Sequence, residues 1–166
     1  MAMTTSDSET ASSGRPLNEA ELAFVREARV GRLATVDAAH RPSVVPFCYA
    51  VLDGDDAVEP IVVSVLDEKP KRVADANLAR VRNIQSNPAV SFVVDQYHED
   101  WSRLAFVQVR GHAAVIEPGA GSHARALAAL RAKYPQYRAM AIEERLLIVI
   151  AELRGHSWRG DGEPFG

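Results

Sequence analysis

Apolar and polar residues alternate with a period of two over much of the middle of the chain, a pattern typical of half-buried β-strands. Six such runs, rich in valine, isoleucine and other strand formers, occur at residues 32–36, 43–52, 58–66, 89–95, 103–116 and 146–153. Turn-forming residues separate most of them. Since short turns link most of the runs, we predict a mainly β fold in which six antiparallel strands form a closed or nearly closed barrel.

Apolar residues follow a helical spacing at three places beside these strands. Asn18 and Glu21 form a capping-box pattern, which predicts a first helix that ends near Gly31. The spacing also predicts a second helix over residues 72–84, after the third strand, and a third over residues 122–133. Helices are therefore expected to flank the barrel.

The length of 166 residues suits one well-packed domain, which we assign to residues 18–159. Residues 1–17 are rich in serine and threonine near their start and contain no apolar signal-peptide core, so we predict a disordered tail. Residues 160–166 are rich in glycine and are predicted to form a flexible end. Trp158 is expected in a short polar tail beyond the last strand.

Charge and composition argue against several function classes. A net charge of −3 gives no basic footprint for nucleic acid or for an anionic membrane. No apolar stretch approaches the roughly 20 residues that a membrane-spanning helix needs, so we expect a cytoplasmic protein. Cys48 lies in a strand-like run, which favours a packing role. No glycine-rich dinucleotide motif follows the first strand, and His98 has no partner at a metal-ligand spacing, so we predict neither a Rossmann site nor a metal site.

Two of the three lysines, Lys69 and Lys71, stand beside Arg72 where the third predicted strand gives way to the second helix. A helix N-terminus already carries about half a positive charge and several unpaired N–H groups, so this basic cluster is unfavourable unless an anion is bound. A phosphate would satisfy all of these groups at once. The alternative is a solvated basic turn that Asp67 and Glu68 partly neutralise.

Several stretches of the chain together resemble one known family. They are residues 28–35, 41–47, 67–72, 82–88, 94–101 and 129–137, which span about residues 18–159. In their order and spacing they resemble the split β-barrel flavin-binding family related to pyridoxamine 5'-phosphate oxidase, and in particular its branch that uses the deazaflavin coenzyme F420.

The resemblance implies a homodimer with two cofactor sites at the subunit interface and the cofactor ring on barrel strands. Three basic residues would hold the cofactor phosphate: Lys69, Lys71 and Arg72. Three residues would lie near the tricyclic ring: Thr35, Pro46 and Phe47. Two aromatic residues would cover the ring or the substrate pocket: Trp101 and Trp158. For each tryptophan an ordinary packing contact is the alternative.

The sequence leaves three functional hypotheses open. The first is an oxidoreductase that uses reduced F420 to deliver a hydride to a small organic acceptor, with water or Tyr97 as the source of any proton and no other catalytic residue assigned. The second keeps the fold and uses FMN. The third is a non-catalytic carrier of a deazaflavin, a flavin or a haem-like ligand. Haem is slightly disfavoured because no histidine is flanked as an evident axial ligand, although His98, His112 and Met140 are candidates.

Overall fold

The computed structural model describes residues 14–54, 59–66 and 78–166. The predicted phosphate-binding residues Lys69, Lys71 and Arg72 lie outside the described residues. The first six residues of the second predicted helix, 72–77, lie outside them as well.

Within the described residues, one antiparallel sheet of eight strands is accompanied by three α-helices. The strands are β1 (Arg15–Pro16), β2 (Gly31–Val36), β3 (Pro42–Phe47), β4 (Ala50–Leu52), β5 (Ile61–Val65), β6 (Ala89–Gln96), β7 (Ala105–Ile116) and β8 (Leu147–Arg159). The helices are α1 (Glu19–Glu27), α2 (Ala79–Ser86) and α3 (His123–Lys133), with short 3-10 turns at Trp101–Arg103 and Pro135–Ala139. The predicted class, mainly β and antiparallel with flanking helices, is confirmed, whereas the strand number is eight rather than six.

The strands follow the order β3-β2-β6-β7-β8-β5-β4, and β1 pairs with the far end of β8. The two ends of this order, β3 and β4, are consecutive in the chain and are separated only by Cys48 and Tyr49. The run 43–52, predicted as one strand, therefore pairs with β2 in its first part and with β5 in its last part. This change of partner closes the sheet through the covalent chain rather than through a ladder of hydrogen bonds.

A tyrosine pair holds the point of closure. The Tyr134 hydroxyl accepts a hydrogen bond from the Tyr49 N–H at 3.0 Å and lies 2.8 Å from the Tyr49 carbonyl oxygen and 2.9 Å from that of Arg29. The Tyr49 hydroxyl donates to the carbonyl oxygen of Val25 in α1. Because both rings are buried, these bonds satisfy backbone groups that the change of strand partner would otherwise leave unpaired.

Two apolar clusters fill the two sides of the sheet. The larger lies inside the barrel and includes Leu33, Phe47, Tyr49 and Phe92. The smaller lies between α3 and the outward side of β4, β5 and the start of β8, with Leu130 at its centre among fully buried neighbours. α3 thus covers the outward side of one part of the sheet.

The last strand is longer than predicted. β8 continues from Leu147 to Arg159, so Trp158 lies on a strand and not in a polar tail as predicted. The inward side chains near its end face β1 and α1 rather than the apolar core. A Cβ on Gly155 would lie 2.1 Å from the Leu17 side chain, and Ser157 hydrogen-bonds Glu21. The apolar alternation that marks a strand is therefore missing from residues 154–159.

A buried carboxylate ties the start of the chain to this strand. Glu21 is fully buried in α1, where it accepts two hydrogen bonds of 2.7 Å from the Arg15 guanidinium and one of 2.9 Å from the Asn18 N–H. The Ser157 hydroxyl of β8 also donates to it. Burial opposes the charge, but these hydrogen bonds outweigh it and hold the pKa of Glu21 below its usual value.

We expect Glu21→Gln to lower the free energy of unfolding by about 1.5–3 kcal/mol, because the substitution removes charge-assisted hydrogen bonds. Since the folded pKa is depressed, this contribution is complete above the ordinary pKa of a glutamate and is lost as the pH falls through the folded value. Urea unfolding of the wild type and the variant from pH 7 to pH 3 measures it. The control is Glu19→Gln, which changes an exposed glutamate in the same turn. If the difference in free energy of unfolding between wild type and Glu21→Gln stayed constant with pH, the assignment would be contradicted.

Candidate functional site

The outward side of β3, β2, β6, β7 and the second half of β8, here called the outer face, is not covered by α3. The strand registers align its side chains in rows. One row crosses the face as Pro46, Arg32, Val93, Gln108 and His156. A neighbouring row reads Val44, Ala34, Ser91, Arg110 and Arg154. On the far side of the first row stand Asp95, Phe106 and Trp158.

Two of the predicted ring contacts lie on the opposite side of the sheet. Thr35 is 2% exposed, and its hydroxyl oxygen accepts a hydrogen bond of 2.9 Å from the Asn83 side chain of α2. Phe47 is 6% exposed and stacks on Tyr49 with ring centroids 5.1 Å apart. Both side chains therefore belong to the barrel interior, and they do not share a surface with Pro46.

The other predicted contacts are exposed. Pro46 lies on the outer face. Trp158 is 46% exposed and stacks on Phe106, with ring centroids 6.1 Å apart. Trp101 is 72% exposed and begins the short helical turn between β6 and β7, which Asp100 caps by accepting a hydrogen bond from the Ser102 N–H.

Pro46 and Trp158 stand at opposite edges of the outer face. Four strand spacings separate β3 from β8, which is about 19 Å measured along the sheet. A tricyclic ring about 10 Å long cannot contact both of these residues of one protomer, given that strand spacing. The structure does not bring the predicted ring contacts of one chain into a single cluster.

Two cavities open on the outer face and share a wall. One, of about 520 Å³, has small aliphatic residues in its lining, Ala34, Val36 and Ala89, and we call it the apolar cavity. The other, of about 620 Å³, is lined by Arg15 and His156 among others, and we call it the basic cavity. Arg110 and Arg154 line both of them. The two cavities together offer an apolar surface next to a group of cations.

The cations of the outer face have carboxylate neighbours. Arg32 is paired with Asp95, and Arg154 lies 3.1 Å from Glu59. Within the apolar cavity, Nδ1 of His112 lies 2.9 Å from a carboxylate oxygen of Glu152. Arg110, Arg154 and Glu152 are not among the site residues predicted from the sequence. Polar residues alternate along β7 at Gln108, Arg110 and His112. This alternation is the sequence signal that could have indicated a polar outward side of the strand.

Two other histidines, His98 and His123, are engaged in local contacts. Nδ1 of His98 lies 2.9 Å from the Asp100 N–H nitrogen, and its Nε2 lies 2.7 Å from the Arg103 guanidinium. His123 is buried, with Nε2 3.0 Å from the Arg145 carbonyl oxygen. Throughout residues 14–54, 59–66 and 78–166, no three side chains of His, Cys, Asp or Glu come together as a group that could hold a metal ion.

A lysine with a perturbed pKa lies behind the closure of the sheet. Nζ of Lys133 is buried, has no hydrogen-bond partner within the described residues, and stands 4.2 Å from the centroid of the Tyr49 ring. Burial, assisted by the nearby Arg29, lowers the pKa of Lys133 to about 8, although Cys48 acts in the opposite direction. Burial likewise raises the pKa of Tyr134 to about 12.

The amino-acid sequence matches the model of a known protein family over most of its length. Residues 17–158 match the model of the pyridoxamine 5'-phosphate oxidase family. The chain belongs to this family. No curated protein matches the chain significantly.

Solved structures share the family fold with this chain. A conserved hypothetical protein, Rv2991 from Mycobacterium tuberculosis, is 25% identical, with 89% of each chain covered and a TM-score of 0.66. An F420 reductase is 20% identical over 81% of this chain and 94% of its own, with a TM-score of 0.54. HutZ, the heme storage protein from Vibrio cholerae, is 16% identical over 87% of this chain and 94% of its own, with a TM-score of 0.56. The last two comparisons establish the fold alone.

The described part of the chain has no helix with the length and apolar character that crossing a membrane requires.

We expect Lys133→Met to raise the free energy of unfolding at pH 7 by about 0.5–2 kcal/mol, because it removes a buried charge that lacks a hydrogen-bond partner. In the wild type the amine is neutral in the folded protein from about pH 8 but stays protonated in the unfolded chain up to about 10.5. Wild-type stability should therefore rise with pH across this window, relative to the variant.

Thermal unfolding of wild type, Lys133→Met and Lys133→Arg between pH 7 and pH 10.5 checks the assignment. Arginine stays charged throughout, so both variants should lack the rise, Lys133→Met at higher stability and Lys133→Arg at lower. The same rise in Lys133→Met as in the wild type would show that another group titrates.

Proposed function

We infer that the protein is an oxidoreductase that binds coenzyme F420 and transfers a hydride between this deazaflavin and a small organic acceptor. Membership of the pyridoxamine 5'-phosphate oxidase family supports a flavin-type cofactor. An F420 reductase has the same fold, so the fold is compatible with the deazaflavin. FMN is the alternative cofactor, and a carrier without turnover is the alternative function.

The observation that carries this proposal is the uncovered outer face. α3 buries the outward side of β4 and β5, whereas Val44 on β3 is 64% exposed and Trp158 on β8 is 46% exposed. Exposed apolar side chains on a sheet, next to cations such as Arg110 and Arg154, match a cofactor that has a flat ring and an acidic substituent. The bound cofactor would supply the hydride, and the protein would supply orientation and exclusion of water.

A second copy of the chain completes this site in our proposal. Pro46 and Trp158 of one protomer are too far apart to contact the same ring, but a two-fold related copy would place Trp158 of one protomer opposite β3 of the other. The exposed Trp101 and Tyr97 at the rim of the same face would then lie at the subunit boundary. We therefore propose a homodimer with two cofactor sites between the protomers.

The phosphate of the cofactor is assigned to Lys69, Lys71 and Arg72 by sequence. In the chain these residues stand between β5 and α2. Residues at the other end of α2 are described: Asn83 hydrogen-bonds Thr35 of β2, so the helix is fixed against the strand that lies next to β3. We propose that these three residues hold the phosphate of a cofactor whose ring lies on the outer face.

Equilibrium binding of F420 and, separately, of FMN tests the cofactor. We expect micromolar or tighter binding of F420 and at least tenfold weaker binding of FMN, measured by fluorescence quenching or calorimetry, with a stoichiometry of two sites per dimer. The reverse preference would assign the protein to the FMN alternative. Binding of F420 without turnover of any acceptor in a reductase screen would leave the carrier, and binding of neither cofactor would contradict the proposal.

The double variant Lys69→Ala, Lys71→Ala should weaken cofactor binding by roughly 2–5 kcal/mol, because each charge-assisted contact to phosphate contributes about 1.5–3 kcal/mol and the two are not fully additive. Calorimetry with the purified, folded variant measures the loss. The matched control is Arg138→Ala, which removes an exposed cation next to α3 and away from the outer face. Equal affinity in wild type and double variant would remove these lysines from the phosphate site.

A further inference from the structure

Two cations lie beside the tyrosine pair that closes the sheet. Nζ of Lys133 stands 4.2 Å from the centroid of the Tyr49 ring and 5.6 Å from that of Tyr134. The guanidinium carbon of Arg29, which lies between α1 and β2, is 4.8 Å from the centroid of the same Tyr134 ring. Among the described residues, no carboxylate forms an ion pair with either cation. The two positive groups therefore share one aromatic wall without a counter-ion from that part of the chain.

The amine of Lys133 is withdrawn from water. Its Nζ atom is buried and has no hydrogen-bond partner within the described residues. An ammonium group in such a place loses its hydration without replacement, and the faces of the tyrosine rings offset this loss only in part. Burial, together with Arg29, lowers the pKa of Lys133 to about 8, although Cys48 acts in the opposite direction. Near pH 8 a large share of this amine is consequently neutral and carries a free lone pair.

The groups that face the amine come from three parts of the chain. Arg29 precedes β2, Cys48 and Tyr49 form the closure between β3 and β4, and Tyr134 follows α3. Burial raises the pKa of both tyrosines, that of Tyr134 to about 12, so both phenols stay protonated near pH 8. Their hydroxyls are already bonded to backbone groups. Neither tyrosine therefore supplies the negative charge that this cluster lacks.

The chemistry of the cluster selects the reagent that would supply this charge. An inorganic anion has to lose its hydration shell before it reaches a buried amine, and this loss is costly. Carbon dioxide is small, linear and uncharged, so it enters a dry site without that cost. It reacts only with the neutral form of an amine and converts it into an anion, the carbamate. A buried, partly neutral lysine beside an arginine suits both the reaction and its product.

We propose that Lys133 binds carbon dioxide as a carbamate, which the guanidinium of Arg29 holds as its counter-ion. The lone pair of Nζ attacks the carbon of CO₂, so a C–N bond forms while one C=O π bond breaks and its electron pair moves to oxygen. One N–H proton leaves to a buffer base, and no atom is oxidised or reduced. The product replaces the repulsion between two cations with a charge-assisted contact between an anion and a guanidinium.

The modification would couple dissolved carbon dioxide to the closure of the sheet. Lys133 directly precedes Tyr134, whose hydroxyl accepts the hydrogen bond from the Tyr49 N–H. An exposed lysine of an unfolded chain is almost entirely protonated near pH 8 and reacts far less. Carbon dioxide is therefore a ligand of the folded state and stabilises it. This site uses described residues away from the outer face and does not rest on the proposed hydride transfer.

Carbon-13 NMR of the full-length protein at pH 8, in ¹³C-labelled bicarbonate that equilibrates with dissolved CO₂, tests the proposal. We expect a carbamate resonance in the wild type that Lys133→Arg lacks, because a guanidinium forms no stable carbamate. Any carbamate of the α-amino group would appear in both spectra. The only other lysines are Lys69 and Lys71, so the matched control is the double variant Lys69→Arg, Lys71→Arg, which should keep the resonance. Identical spectra of wild type and Lys133→Arg would overturn the proposal.

Chemical trapping locates the modified residue. Triethyloxonium converts a carbamate into a stable ethyl ester, and trypsin does not cleave after a lysine that carries this group. We expect the treated wild type to give a peptide that is uncut after Lys133 and carries the ethoxycarbonyl group, and to give the cut peptide when CO₂ is removed. A trapped group at Lys69 or Lys71 without one at Lys133 would contradict the assignment.

Arg29→Gln tests the counter-ion. Arg29 is exposed, so the variant should fold, which circular dichroism checks. At equal dissolved CO₂ we expect carbamate occupancy to fall about threefold or more, because the anion loses its charged partner. The matched control is Arg41→Gln, an exposed arginine after the β2–β3 turn, which should behave as wild type. Since loss of Arg29 also favours the protonated amine, the comparison is repeated at pH 9.5, and a difference that vanishes there would remove Arg29 as the counter-ion.

Thermal unfolding at pH 8, with and without dissolved CO₂ at equal ionic strength, measures the effect on the fold. We expect CO₂ to raise the Tm of the wild type and to leave that of Lys133→Arg unchanged, since a ligand of the folded state alone is stabilising. An equal rise in both proteins would show a general solvent effect and contradict the proposal. None of these measurements contains a cofactor, so their outcome is independent of whether F420 binds.

Discussion

The fold depends on how the chain closes the sheet at Cys48 and Tyr49. One extended segment pairs with β2 before these residues and with β5 after them, so the ends of an eight-stranded sheet meet without a ladder between them. Backbone groups at such a break need other partners, because an unpaired buried amide costs about 1–3 kcal/mol. Tyr134, which follows α3, supplies its hydroxyl to the Tyr49 N–H and to nearby carbonyl oxygens. The closure and the position of α3 are therefore linked.

The position of α3 determines which part of the outward side of the sheet stays exposed. Because Tyr134 fixes the end of α3 beside the closure, the helix packs on the outward side of β4 and β5 and buries residues such as Val63 and Leu130. The outward side of β3, β2, β6, β7 and the second half of β8 receives no such cover within the described residues, and it carries the exposed Val44 and Trp158 side chains. The interior of the barrel is filled by Phe47, Tyr49 and Phe92, whose rings contact one another, so the interior is a core and not a ligand cavity. We therefore place the proposed cofactor site on the outer face.

Much of the fold could be predicted from the period of the apolar residues, since this period reports which side of an element is buried. It identified α1, α3 and the middle strands, and Asn18 and Glu21 form the predicted capping box. It failed at residues 154–159 of β8, where the inward positions are filled by Gly155 and Ser157 because Leu17 and Glu21 occupy the space next to them. The family resemblance, not the period, placed Thr35 and Phe47 near the ring, whereas alternation from buried Leu33 places the Thr35 side chain inward. The pairing of Arg110 with Arg154, and of His112 with Glu152, could not be predicted, because both depend on a register that contains a bulge.

The backbone strain at the bulge between β7 and β8 can be compared with the energy of the His112–Glu152 pairing beside it. A regular ladder between β7 and β8 would place the side chains of adjacent β8 residues on alternate sides, so Arg154 and its second neighbour, Glu152, would point outward at even spacing. With one extra residue, β8 turns more strongly at this point, and Glu152 adopts a positive φ that costs of order 1–3 kcal/mol. Its exposed pairing with His112 returns at most about 1 kcal/mol. The pairing alone does not offset the strain, so other contacts must hold this geometry, and the close approach of Gly111 to the Ala151 carbonyl oxygen, which leaves no room for a Cβ, is one of them.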